Sequence, residues 1–279
     1  MEKIKIDNIY LFLISIVPLT IVFGPSVSLV NILLIVLFFS ITFKFLKINL
    51  KEKKLFYLLV FLYIYFIFNS FISIDYREGV FRNFGFIRFI ILFLAINLFY
   101  HNSETSFKFL NIWSIIILVV VFDSFVEFIF GKNLLGYGDE IYAGRIVSFF
   151  KDEPIVGAYL LGFNFIIIGY LFEKFYKKDI KLKIFLFLIL FILVGCILVT
   201  GERSNGIKAI IGLFIFLFLN NKISLKTKIS IFLFSLIFTA LIITNSNYLK
   251  LRYGQQLFSQ LYDVSKRDQF IENNLYLKL

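Results

Sequence analysis

Two short segments of this 279-residue sequence place an arginine among glycines and carboxylates. One is Gly144-Arg145-Ile146-Val147-Ser148-Phe149-Phe150, followed by Lys151-Asp152-Glu153-Pro154. The other is Thr200-Gly201-Glu202-Arg203-Ser204-Asn205-Gly206. Arginine brings a permanent charge and a planar fork of donors that matches phosphate oxygens. A helix opening after Arg203 would aim free backbone N–H groups and its positive end at the same place. An anionic ligand fits both segments. A lone arginine in such a loop also serves simply to hold a lipid headgroup, and that plainer reading stands beside the first. Asp123 and Glu127 lie four apart on one apolar run, hence on one helix face, and Arg88 interrupts another run. Charges inside a membrane tend to pair or to line a wet cavity. Arg88 is therefore expected to meet Asp123 or Glu127, as a pair that either locks helices or serves the site.

Other chemistry is sparse. His101 is the single histidine and falls in a short connection, where it reads as a solvated loop residue. Cys196, the single cysteine, sits inside an apolar run, which excludes disulfides and thiolate metal sites. The sequence has no phosphate-binding glycine loop, no Gly-x-Ser-x-Gly elbow and no histidine–glutamate metal spacing. A net charge of +11 invites a nucleic-acid reading, but basic loops that orient a membrane protein account for it better. Ala158-x-x-x-Gly162 has the small-residue spacing of close helix packing.

The elements that must position these residues follow from composition. Hydrophobic residues make up 60% of the chain, 40 residues are Phe, and only 17% are charged. That is too little charge to cover a soluble body, and the apolar runs lack the alternation of barrel strands. The expectation is an all-α, polytopic transmembrane bundle of about nine spans with no sizeable soluble domain. The spans read as 9–23, 26–46, 55–74, 84–100, 109–130, 155–172, 180–200, 205–220 and 229–244, so that residues 1–244 form the bundle. Gly24-Pro25 marks a tight turn, and Pro154 is placed to open a helix. Residues 245–279 are too polar to span. With the N-terminus inside, sixteen basic residues fall in inner segments against seven in outer loops, which favours a cytoplasmic N-terminus and an outer tail. Under that topology Arg88, Asp123, Glu127, Arg145, Glu153, Glu202 and Arg203 gather at the outer face.

At these residues the sequence resembles a known family. Asn83-Phe-Gly-Phe-Ile-Arg88-Phe, then Val121-Phe-Asp123-Ser, then Gly131-Lys-Asn-Leu-Leu-Gly-Tyr137 precede Arg145-Ile-Val-Ser-Phe-Phe-Lys-Asp-Glu153-Pro-Ile-Val-Gly-Ala-Tyr-Leu160 and Thr200-Gly-Glu-Arg203-Ser. In that order they resemble the O-antigen ligase and O-antigen polymerase superfamily of the bacterial inner membrane, over roughly residues 80–210. The resemblance implies a helical bundle that takes a glycan from an undecaprenyl-diphosphate carrier on the periplasmic side. It implies transfer to a sugar hydroxyl in cell-surface polysaccharide (lipopolysaccharide) synthesis, with no cofactor and no metal. Arg145 and Arg203 map to the arginines thought to hold the diphosphate, with Arg88, Asp123, Glu127, Glu153 and Glu202 as a supporting polar cluster. Family members continue into a large periplasmic loop with a histidine that serves the acceptor. Here the chain reaches Leu279 where that loop is expected to begin, so the expectation is a truncated chain, a second polypeptide being one way to complete the bundle. Catalysis by the 279 residues alone is left open. Two readings of other classes compete: a transporter or flippase of lipid-linked or anionic cargo, and a non-catalytic membrane subunit. An architecture with a catalytic carboxylate in the first outer loop is disfavoured, because the turn at 24–25 has none.

Overall fold

A computed structural model describes residues 2–42, 53–100, 103–138, 144–151, 153–176, 180–221 and 223–255. His101, the tail beyond residue 255 and most of the basic stretch at 44–54 lie outside the described residues. Among the described residues all regular secondary structure is helical. In chain order the helices are α1 (Glu2–Ser15), α2 (Val17–Val22), α3 (Pro25–Thr42), α4 (Lys53–Ile72), α5 (Tyr76–Phe84), α6 (Ile87–Tyr100) and α7 (Ser103–Phe130). They continue with α8 (Val156–Phe175), α9 (Ile180–Val199), α10 (Arg203–Leu219), α11 (Leu225–Asn245) and the short α12 (Asn247–Leu249), which runs into a π-helical turn, Lys250–Gln255.

Seven helical segments are long and apolar enough to cross a membrane. Two further apolar segments, Asn8–Val22 and the 17-residue α10, are helical but shorter. At 1.5 Å per residue α10 reaches only about 26 Å, short of a hydrocarbon layer roughly 30 Å thick. A chain with seven such helices in hydrocarbon must satisfy its backbone internally, and helices do this one segment at a time.

The chain divides into two compact units, residues 1–116 and 117–279. In the first, helices are joined by single polar contacts to backbone. Pro18 has no N–H, which leaves the Ile14 carbonyl without its helical donor. The indole Nε1 of Trp113 donates to that carbonyl at 2.9 Å. Asn31 Nδ2 donates to the Leu13 carbonyl at 3.2 Å, and the hydroxyls of Tyr10 and Thr42 meet at 2.6 Å. Gly24 takes φ +114° to turn the chain into Pro25.

Further along, the structure differs from the span expected at 84–100. A candidate span runs Tyr76–Asn97, so that helix begins eight residues earlier, with a break at Gly85–Phe86. The carboxylate of Asp75 caps α5 by accepting from Glu78 N at 3.3 Å. Asn83 Nδ2 then ties α5 back to α4, donating to Ser70 Oγ at 2.6 Å and to the Phe66 carbonyl at 3.2 Å. Gly79 sits against Ser70 and Ser73, where a side chain would crowd them. Arg77 and Arg82 are therefore helical residues of α5 rather than loop residues.

In the second unit α8 and α9 form the interior. Over half of each apolar window is buried, against 11% of α11. Close approach is set by Gly195, whose missing side chain is filled by Phe238, and by Gly212, filled by Phe165. Gly162 has nothing within 4 Å of where its Cβ would be, and Ala158 is exposed. The small-residue spacing at 158 and 162 is thus not a packing seam among the described residues. Asn164 crosses from α8 to the Leu193 carbonyl of α9 at 3.1 Å.

Candidate functional site

The C-terminal ends of α7, α9 and α11 and the N-terminal ends of α8 and α10 supply the parts of the site, linked through side chains of the connecting loops. The first arginine loop is held from below by the two carboxylates of α7. Asp123 is 0% and Glu127 4% exposed. Asp123 accepts from Leu134 N at 2.9 Å with one oxygen and from Ser148 Oγ at 2.5 Å with the other. Glu127 accepts from Val147 N at 3.0 Å and from Ser148 N at 2.6 Å. Asn133 closes the frame by donating to the Ser148 carbonyl at 2.6 Å. Its own Oδ1 receives Leu135 N and Tyr137 N.

Ser148 is the pivot of this latch. It takes φ +46°, a left-handed conformation that a non-glycine side chain adopts at some cost. Its N–H, its carbonyl and its hydroxyl are each bonded, to Glu127, Asn133 and Asp123. Three bonds of this kind outweigh a conformational cost of about 1 kcal/mol. Arg145 stands three residues before this pivot and is partly buried. The spacing of Asp123 and Glu127 on one face is therefore used to fix a loop, through backbone and hydroxyl donors within residues 134–148. Arg88 belongs to the other unit. Its guanidinium lies 5.0 Å from the Phe89 ring centroid, and its buried Nε has no hydrogen-bond partner.

The second arginine loop is held by its own carboxylate. Glu202 accepts from Gly157 N at 2.6 Å and from Asn205 Nδ2 at 2.5 Å, and the Ala158 N–H also bonds to it. It caps the first turn of α8, whose neighbouring residue Ile155 provides no side-chain cap, while fixing the first turn of α10. Gly157 allows this approach: a Cβ there would fall 2.8 Å from Thr200 Oγ1 and 2.9 Å from the Glu202 carboxyl carbon. Burial pushes the Glu202 carboxyl above its ordinary value, against the lowering effect of Gly157, Asn205, Ala158 and the charge of Arg145. Arg203 is the first residue of α10. Its Nη1 is shut off from solvent and has no hydrogen-bond partner.

A third part comes from the polar segment after α11, which the sequence marks only as a tail. Ser246 Oγ accepts from Leu249 N at 3.3 Å and starts α12. The Tyr253 hydroxyl donates to the Leu198 carbonyl at 3.1 Å and lies over Gly206. Burial, with the charge of Glu202 in second place, raises the proton affinity of the Tyr253 phenol. Arg252 Nε donates to the Gly201 carbonyl at 3.3 Å. Burial lowers its proton affinity, and the charges of Arg145 and Arg203 act in the same direction. The Tyr248 ring lies beside both Gly144 and Gly201, the glycines just before Arg145 and Arg203.

Glu153 is exposed, and its backbone forms the turn between Phe150 and Ile155. Among the described residues no three histidine, cysteine, aspartate or glutamate side chains converge as metal ligands. Sequence reasoning alone passed over Tyr248, Arg252 and Tyr253. The available signal was the four-residue spacing of Tyr248 and Arg252 just after a serine cap. No family model, no curated protein and no solved structure matches this chain.

Proposed function

We propose that this protein handles a membrane-anchored diphosphate at this site, as an O-antigen ligase- or polymerase-like transferase of lipid-linked glycan. The observation that carries the reading is the buried guanidinium nitrogen of Arg203 at the first turn of α10. Asp123, Glu127 and Glu202 are engaged in holding loops and helix ends, while Arg203 keeps a buried, unpartnered donor. A buried donor without an acceptor is costly, and a phosphate oxygen would relieve it. Glycosyl transfer from a lipid diphosphate builds negative charge on the departing phosphate. Fixed guanidinium groups and the N-terminus of α10 would stabilise that charge as it forms. The ordered motifs from Asn83 to Ser204 support the same reading.

In this proposal nine helical segments span a bacterial inner membrane, with the two shorter ones completing the bundle. The bias of basic residues puts the N-terminus in the cytoplasm and the arginine loops on the periplasmic side. The partners are an undecaprenyl-diphosphate-linked glycan and a sugar acceptor. A transporter of lipid-linked cargo is the second reading, favoured by the interruptions at Ile16 and Gly85–Phe86, since broken helices mark many transporter sites.

The test uses the purified chain in nanodiscs of neutral lipid. Undecaprenyl diphosphate should bind at least tenfold more tightly than undecaprenyl monophosphate. Arg145→Gln and Arg203→Gln should each abolish that preference. Equal binding of the two lipids, or an unchanged preference in both variants, overturns the proposal. Movement of a lipid diphosphate between leaflets of a proteoliposome, without transfer to an acceptor, would favour the transporter.

A further inference from the structure

The exposed face of α8 runs away from the arginine loops and ends in a cavity. Ala158, Gly162, Ile166 and Glu173 are exposed and Gly169 is half-buried among them, at the three- and four-residue steps that keep side chains on one helix face. Glycine in a helix interior costs about 1 kcal/mol against alanine, and in membranes it normally lets a second helix come close. Among the described residues nothing lies within 4 Å of the Cβ positions of Gly162 and Gly169. The two glycines therefore leave a groove that no part of the described chain fills. At its far end a cavity of about 440 Å³ opens beside Gly169, between the last turns of α8 and α10. Phe172 and Phe216, edge to face at 5.3 Å, form its apolar wall together with Leu219. Glu173, Asn220 and Asn221 form its polar side.

We propose that this face of α8 binds one membrane phospholipid with a primary ammonium headgroup. An acyl chain lies along the groove between Gly162 and Gly169, and the ammonium enters the cavity to meet the Glu173 carboxylate beside Asn220 and Asn221. The length fits: α8 is long and apolar enough to cross a membrane. From Gly162 to Glu173 it rises about 17 Å, close to one leaflet of a hydrocarbon layer roughly 30 Å thick. The chemistry of the cavity also fits. The last turns of two helices bring free carbonyls and their negative ends to this place. The chain's own ammonium groups settle around it. Lys228 Nζ donates to the Phe218 carbonyl in the last turn of α10 at 3.0 Å, and Lys174 and Lys183 lie 5.3 and 5.0 Å from the ring centroids of Tyr170 and Tyr176. A primary ammonium donates three hydrogen bonds to such acceptors, a quaternary ammonium none, and a glycerol headgroup leaves its phosphate charge uncompensated beside Glu173. The site stands at the other end of α8 from the arginine loops and does not depend on the reaction proposed there.

The experiment is native mass spectrometry of the full chain in detergent, titrated in parallel with phosphatidylethanolamine, phosphatidylcholine and phosphatidylglycerol of identical acyl chains. The expected result is one phosphatidylethanolamine retained about tenfold more tightly than either of the others, the effect of one charge-assisted hydrogen bond. Glu173→Gln should bring phosphatidylethanolamine to within about twofold of phosphatidylcholine, since the carboxamide keeps an acceptor but gives up the charge. Gly169→Leu fills the mouth of the groove and should weaken phosphatidylethanolamine about tenfold, with a melting temperature within a few degrees of the parent. Should Gly169→Leu fail to fold, Glu173→Gln decides alone. Equal retention of the three lipids, or an unchanged preference in Glu173→Gln, overturns the proposal. Parental affinity in a folded Gly169→Leu overturns the placement of the acyl chain. Preference for phosphatidylglycerol marks an anion site, and a lipid-free dimer marks a second copy as the occupant; either result overturns the proposal.

Discussion

The two compact units use polar side chains for different ends. In residues 1–116 the side chains that join helices are neutral groups, each making one or two bonds to the backbone or hydroxyl of a neighbouring helix, as Trp113, Asn31 and Asn83 do, and the partly buried guanidinium of Arg88 is the charged exception. In residues 117–279 they include carboxylates whose two oxygens each hold a different donor, Asp123 and Glu127 fully buried and Glu202 half-buried. A neutral bond repairs a carbonyl freed by proline or joins two helices, and removes no charge from water. A buried carboxylate costs far more to install, and it returns that cost only if every oxygen is bonded. Such groups fix loops in one geometry rather than add much stability. Among the described residues these bonded carboxylates lie in the second unit, which also holds Arg145 and Arg203.

The sharpest way to break the contrast is to remove one carboxylate of the latch. Glu127→Ala leaves the N–H groups of Val147 and Ser148 buried and unbonded. At about 1–3 kcal/mol for each lost acceptor, the loss is roughly 2–6 kcal/mol. The positive φ of Ser148 then loses one of its supports, so the loop carrying Arg145 should shift with it. The expected outcome is a fall of several degrees in the melting temperature of the purified chain together with loss of undecaprenyl diphosphate binding. Parental melting and binding would show that the latch does not hold the loop.

How far the sequence foretold this contrast depends on the residue. Seven of the nine apolar stretches correspond to helices long and apolar enough to cross a membrane and the other two to shorter helices, because length and hydrophobicity decide that, and Gly24-Pro25 turns the chain as its residue types require. Helix α5 was not legible, since Arg77, Glu78, Arg82 and Asn83 interrupt the hydropathy that marks a span. Its formation depends on Asp75 as a cap and on the bonds of Asn83 to α4. The four-residue spacing put Asp123 and Glu127 on one face but could not say what that face meets. Their partners are backbone groups of a loop whose course hydropathy does not describe. Tyr248 and Arg252 were lost for the opposite reason: a polar segment fails the test for a span, and that test is blind to a short helix folded back on loop ends.

A smaller effect comes from the second loop. Glu202→Gln keeps one acceptor at the start of α8 and α10 but gives up the charge, a loss of roughly 1 kcal/mol for a partly exposed cap. Its pH dependence carries the information. Burial raises the folded-state proton affinity of Glu202 above that of the unfolded chain, with Arg145 opposing. The stability this group contributes through its proton is therefore complete below the ordinary carboxylate range. It is lost as pH rises through the raised value. The melting-temperature advantage of the parent over Glu202→Gln should shrink as pH is raised through that window. A gap that widens with pH would mean that the charge, not the burial, dominates at this cap.

The least effect is expected in the first unit. Asn83→Ala removes one neutral side chain that bonds Ser70 and Phe66, and both oxygens keep another bond, because Ser70 Oγ also donates to the Phe66 carbonyl at 2.7 Å. Nothing buried is left orphaned, so the change should cost about 1 kcal/mol. Each unit has its own contacts, and the bonds described for the two arginine loops lie within the second. Melting should fall by no more than a few degrees, and undecaprenyl diphosphate affinity should stay within twofold of the parent. A loss of binding comparable to that of Glu127→Ala would mean that the first unit takes part in positioning the arginines, and the division of labour between the two regions would not stand.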